Sequence, residues 1–207
     1  MIARHAILGA IIAGGQAARM GGLNKPLQLL AGKPLIRHVY DRLEPQVSAL
    51  MANANRDLDL IAQSLPASIA ICPDKNAFQG AGPLAGLHAA LSHANANDLG
   101  FVATVAADTP FFPANLVEKL SHDPDPSAIR IARQDGYNHP LFGLWPTAIL
   151  PDLENFLRSG ETYKVMAFAK RHPVIHVDIE DADDPFFNIN TADDLAVAEQ
   201  MIAGALP

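Results

Sequence analysis

An apolar run, Ala6 to Ala13, leads directly into Gly14-Gly15-Gln16-Ala17-Ala18-Arg19-Met20-Gly21-Gly22-Leu23-Asn24-Lys25. Such a run reads as a strand, and the loop that follows it then lies at the carboxyl edge, where open α/β sheets bind ligands. Glycines there let backbone N–H groups approach an anion without a Cβ in the way. Arg19 can fork two phosphate oxygens, and Lys25 adds a compact charge. The combination suits a nucleoside triphosphate. Its spacing is neither the dinucleotide fingerprint nor the Walker loop. A secretory leader is the competing reading of the same run, but about eight apolar residues are near the lower limit for one, and cleavage would destroy the loop.

Further along, short apolar runs alternate with helical-period segments, the pattern of an α/β fold with a mostly parallel sheet flanked by helices. Expected strands are 6–13, 47–53, 68–72, 101–106, 128–133, 141–145 and 174–178. Pro34 opens a helix carrying Leu35, Val39 and Leu43, which Pro45 ends. Residues 83–93 and 114–120 read as further crossovers, 121–127 as a surface loop and 134–140 as a hairpin-like excursion. Thr191 and Asp194 form a capping-box-like start to a terminal helix with Leu195, Ala198 and Ile202 as its buried stripe. One domain spanning 1–207 is expected.

Composition narrows the partners. The formal net charge of −7 offers no field for a nucleic-acid backbone. A single cysteine, Cys72, excludes an internal disulfide and a multi-cysteine zinc site, and fits a reducing, cytoplasmic setting. No run approaches the roughly 20 apolar residues of a membrane-spanning helix.

Several polar residues fall at strand ends. Asp108 follows the 101–106 strand and suits either a Mg²⁺ ligand shared with substrate phosphates or a cap for a helix near Pro113. Asn53 offers an amide to a base or ribose, or simply shapes a turn. Asp74 can accept from guanine N–H groups or ribose hydroxyls, or stand solvated in its loop. Gly82, before Pro83, opens a helix whose free N–H groups can meet an anion, or is only a helix start. Asn188 and Asn190 share a face if extended, and otherwise form a turn into the last helix.

The loop, continued by Leu27, Leu30 and Gly32-Lys33-Pro34-Leu35, resembles the signature of nucleotidyltransferases that activate small phosphorylated molecules. It is most similar to the molybdenum cofactor guanylyltransferase (MobA) family. Asn53-Ala54-Asn55-Arg56, Gly82-Pro83-Leu84-Ala85-Gly86, Asp108-Thr109-Pro110, His139-Pro140 and Asn188-Ile189-Asn190-Thr191 extend the resemblance along nearly the whole chain. The chain departs from the family at Asn24, where aspartate is common, and at Thr162-Tyr163-Lys164, where only Lys164 is cationic.

The resemblance implies a Rossmann-like nucleotidyltransferase domain that couples molybdenum-molybdopterin to GMP from GTP with Mg²⁺. It implies GTP contacts at Ile12, Ala13, Gly14, Gly15, Gly22, Lys25, Asn53, Asp74, Gly82 and Asp108, with Asp108 holding the metal and Arg19, Lys25 and Asp108 as the catalytic set. His139, Lys164, Asn188 and Asn190 would face the molybdopterin. The nucleotide half would span about 1–110 and the acceptor half 111–207. A monomer is expected, passing cofactor to insertion chaperones or acceptor molybdoenzymes. Cytidylyl or sugar-phosphate transfer is the rival within the enzymes, and a non-catalytic cofactor-delivery module the rival outside them.

Overall fold

The computed structural model describes residues 1–13, 24–180 and 184–204. In chain order its elements are β1 (Ile7–Ile12), β2 (Leu29–Leu30), β3 (Lys33–Pro34), α1 (Leu35–Leu43), β4 (Ala49–Asn53), α2 (Leu58–Ser64), β5 (Ala70–Cys72) and α3 (Pro83–Ala96). There follow β6 (Phe101–Ala106), α4 (Leu116–Leu120), β7 (Ile129–Gln134), β8 (Tyr137–Pro146), α5 (Leu150–Ser159), α6 (Val165–Ala169), β9 (Val174–Asp178) and α7 (Ala192–Ile202).

Seven strands form one sheet in the order β5-β4-β1-β6-β8-β7-β9, and among the described residues only β8 runs against the others. β1, the run that competes as a leader, is an interior strand with all six residues buried. Its side chains alternate between two cores, as the period of a strand requires. Ile7 and Ile11 pack with Ile36, Val39, Phe112 and Leu116 on the α1–α4 side. Leu8, Ala10 and Ile12 pack with Leu84, Leu91, Trp145 and Leu153 on the α3–α5 side. Burial on both faces explains the near-continuous apolar sequence of the central strands.

Some expectations are corrected. The excursion expected at 134–140 shrinks to a two-residue Asp135-Gly136 turn, with φ of 50° and 80°, and β8 begins at Tyr137 rather than Leu141. Positive φ at both residues gives the hairpin turn whose twist matches its strands, so the ladder continues to the tip. α2, α5 and α6 are additional helices. In α7 the expected stripe is only partly buried: Ala198 is inaccessible, Leu195 half-buried and Ile202 43% exposed. The loop before β7 is tied down from below by the fully buried Arg130, which donates to the carbonyls of Asp123, Asp125 and Ala128.

Candidate active site

The carboxyl ends of β1, β4, β5 and β6 share one edge. Ala13 N–H donates to the Asn53 carbonyl at 2.9 Å, and Ala107 N–H to the Ile12 carbonyl at 3.1 Å, so the exit of β1 is held from both neighbouring strands. The expected residues Gly14, Gly15, Arg19 and Gly22 lie outside the described residues.

Lys25 opens a short 3-10 turn with Pro26 and is only 4% exposed. Its ammonium donates to Asp108 Oδ2 at 2.5 Å, Asn190 Oδ1 at 2.5 Å and Asn188 Oδ1 at 3.1 Å. An ammonium has three protons, and this seat accepts all of them. The other carboxylate oxygen of Asp108 accepts from the Thr109 hydroxyl at 3.2 Å. Asp108 does not cap α4, whose N-cap is Asn115.

Asn188 and Asn190 therefore reach the lysine from the far end of the chain. Ile189 N–H donates to the Asp108 carbonyl at 3.0 Å, which lays this segment across the end of β6. Asp194 Oδ2 accepts the backbone N–H groups of Asn190 and Thr191, each at 2.8 Å, while Thr191 Oγ1 accepts Asp194 N–H at 3.1 Å. The capping box is complete. The Asn190 backbone first, then the side chain and backbone of Thr191, hold the Asp194 carboxyl below its ordinary value.

A second cluster lies on the other side of β1, at the ends of its neighbour β4 and of β5 beyond it. Asn53, fully buried at the end of β4, donates to the Cys72 carbonyl at 3.0 Å and to Asp74 Oδ1 at 2.9 Å. Asn55 Nδ2 donates to Asp74 Oδ2 at 2.8 Å, and Asp74 N–H donates to Asn55 Oδ1, also at 2.8 Å. Among the described residues Asn53 Oδ1 has no partner, and it faces Gly86, where a Cβ would come within 2.5 Å of it. Glycine at 86 is what lets α3 pass this close. Gly82, with φ of 62° and ψ of −143°, is the N-cap of α3 in a backbone conformation that suits glycine.

Asp74 follows β5 and Asp108 follows β6, strands that stand three steps apart in the sheet order. At about 4.8 Å per step that is a span of about 14 Å.

His139 on β8 stacks on Phe186 with centroids 4.1 Å apart, and burial lowers its pKa against the opposing pull of Asp184. Phe186 belongs to the α1–α4 core. Lys164 is the exposed N-cap of α6, whose Phe168 and Ala169 join the opposite core. The expected acceptor-side residues are thus divided: Asn188 and Asn190 meet Lys25, and His139 and Lys164 flank different faces of the sheet. Asn55 and Thr109, named in the sequence reading only within longer motifs, and Asp194, expected there only as a helix cap, also make site contacts. The alternation Asn53-Ala54-Asn55 was the available signal for the first of these.

Among the described residues no group of three or more His, Cys, Asp or Glu side chains can hold a metal, and no helix is long and apolar enough to cross a membrane. Cys72 is a free, half-buried thiol whose pKa is raised by burial.

A mostly parallel sheet with a lysine–carboxylate pair at its carboxyl edge, following a glycine-rich stretch of sequence, fits a nucleotidyltransferase, and the matching family model gives the same class. More particularly, the chain belongs to the MobA-like NTP transferase family, whose model matches residues 9–174. It is 41% identical to a molybdenum cofactor guanylyltransferase of Rhizobium leguminosarum bv. trifolii (strain WSM2304), over 97% of this chain and 95% of that protein. A protein of the same name from Pasteurella multocida (strain Pm70) is 42% identical, over 89% of this chain and 95% of its own. Among solved structures, the molybdopterin-guanine dinucleotide biosynthesis protein A of Archaeoglobus fulgidus superposes with a TM-score of 0.76 at 26% identity, covering 95% of this chain and 99% of that one.

Proposed function

We propose that this protein transfers GMP from GTP to the terminal phosphate of molybdenum-molybdopterin, forming the molybdopterin guanine dinucleotide and releasing pyrophosphate. The observation that carries the reading is the Lys25–Asp108 contact at the carboxyl edge of β1 and β6, in a chain whose 41% and 42% identical relatives are named for that transfer. The spacing of about 14 Å between β5 and β6 suits a nucleotide laid along the edge, base toward β5 and phosphates toward β6.

The Asp108 side chain, 23% exposed, fits a Mg²⁺ ion that takes its remaining ligands from phosphates and water. When bound, Mg²⁺ would supply charge neutralisation at the triphosphate. Lys25 would exchange one of its amide acceptors for a phosphate oxygen, and Arg19 with the amides of Gly14, Gly15 and Gly22 would hold the remaining negative charge. Ile12 and Ala13 would border the nucleotide, and the Gly82 end of α3 would meet an anionic group.

The attacking phosphate monoester has a second pKa of about 6, so near neutrality it needs no general base. The difficulty is repulsion between anions, which fixed cations and N–H dipoles offset where charge builds on the leaving pyrophosphate. On the acceptor side His139 and Lys164 are the candidates, with Asn188 and Asn190 shared between both substrates. In this reading the halves at about 1–110 and 111–207 work as one domain in the cytoplasm, and acceptor molybdoenzymes or their chaperones take the product.

Pyrophosphate release from GTP, CTP, ATP and UTP, each with and without molybdopterin and Mg²⁺, tests the proposal. Release from GTP only when both additions are present is expected. Turnover of CTP in preference would replace the assignment, and no turnover of any nucleotide would remove it.

A further inference from the structure

The nucleotide reading leaves open what chooses the base. Asp74 is 7% exposed and is gripped from two sides. Asn53 holds Oδ1 from beneath and is itself locked between the Cys72 carbonyl and the Gly86 contact. Asn55, exposed at the lip, holds both Oδ2 and the backbone N–H of Asp74. A side chain fixed at its backbone and at each oxygen has no freedom to turn. Each oxygen nevertheless keeps spare acceptor capacity, because a carboxylate offers about four lone-pair sites and the asparagines use one on each oxygen.

Two parallel acceptors in a fixed plane match the adjacent N1–H and N2–H donors on one edge of guanine. Adenine carries a lone pair at N1, which would meet the carboxylate acceptor to acceptor. A site built around fixed hydrogen-bonding groups rejects the analogue that cannot pair with them far more strongly than an apolar pocket rejects a misfit. That rejection requires that Asp74 cannot turn away, and Asn55 is the accessible member of the clamp.

We propose that Asn55 is a positioning residue that sets guanine selectivity by clamping Asp74, an inference that rests on the nucleotide reading above. The test is calorimetric binding of GTP, ITP and ATP with Mg²⁺ and no acceptor, on wild type, Asn55→Ala and Asn55→Asp. Losing one well-formed hydrogen-bond pair from the clamp should weaken GTP by about tenfold and leave ATP within about twofold, so that the GTP-to-ATP ratio falls about tenfold. ITP, without the N2 amino group, should be weakened less than GTP. In turnover the loss should fall on KM rather than kcat.

Asn55→Asp keeps an acceptor for the Asp74 N–H but sets carboxylate against carboxylate, and should lose GTP further while remaining folded by circular dichroism. Equal weakening of GTP and ATP, no change in either, or failure of both variants to fold would overturn the proposal. A wild type that binds GTP no better than ATP would overturn it as well. A wild type that binds no nucleoside triphosphate would instead overturn the nucleotide reading itself.

Discussion

Removing either partner of the Lys25–Asp108 contact should cost stability as well as activity, and the size follows from their unequal burial. The Lys25 side chain is 5% exposed and that of Asp108 23%, with 2.5 Å between the charged atoms. Breaking a fully buried pair costs about 3–5 kcal/mol, because a charge is left uncompensated, but Asp108 can be partly rehydrated. About 2 kcal/mol is therefore expected for Lys25→Met. For a chain of this size that lowers the melting temperature by roughly 4–8 °C, well within the usual stability margin, so the fold survives. Asp108→Asn should cost somewhat more, since it leaves the ammonium, not the carboxylate, in the enclosed position with only neutral acceptors.

The double variant should be less damaged than the sum of the two, with a coupling of about 1–2 kcal/mol. Urea denaturation of all four proteins measures it. Additivity within about 0.5 kcal/mol would refute the claim that these charges stabilise one another in the free protein. Both single variants should also lose most transfer activity, and a folded Asp108→Ala protein with full magnesium-dependent turnover would end its role at the metal.

Acid should dissolve a second contact. Glu154 is drawn down from 4.5 to about 2 by His88 and Lys75, so its contribution is present above about pH 4.5 and is lost as pH falls toward 2; Glu154→Gln should flatten that part of a stability-against-pH curve, and an unchanged curve would count against the contact. Thr191→Ala removes the side-chain half of the α7 capping box and should cost about 1 kcal/mol. Because Asp194 also holds the Asn190 backbone, turnover should fall with it, and a variant that melts lower at undiminished turnover would separate the cap from the lysine seat.

The strands were legible because a sheet covered on both faces writes itself as unbroken apolar runs, and α1 because its stripe lies between Pro34 and Pro45. α2 carries no such stripe: only Ile61 is buried, with Leu58 and Leu60 turned outward. Pro151 reads as a breaker in isolation but occupies the first turn of α5, where its missing N–H has no consequence. α6 is too short to show a period. In the site, Lys25, Asp74 and Asp108 could be found from their places after strands, a local property. That Asn188 and Asn190 return to Lys25 is tertiary, and no spacing within Asn188-Ile189-Asn190 encodes it. The roles of His139 and Lys164 came from resemblance, and the fold sets them on different sides of the sheet.

The three acceptors around the Lys25 ammonium lie 83, 163 and 165 residues away along the chain. Strand pairing of β1, β4 and β6 is finished, in chain terms, long before the last two exist. A nascent chain can therefore build most of its sheet on the ribosome while Lys25 is still unseated. The turn into α7 closes the lysine seat as well as the fold, so under the proposed function nucleotide processing must wait until the segment through Asn190 has emerged.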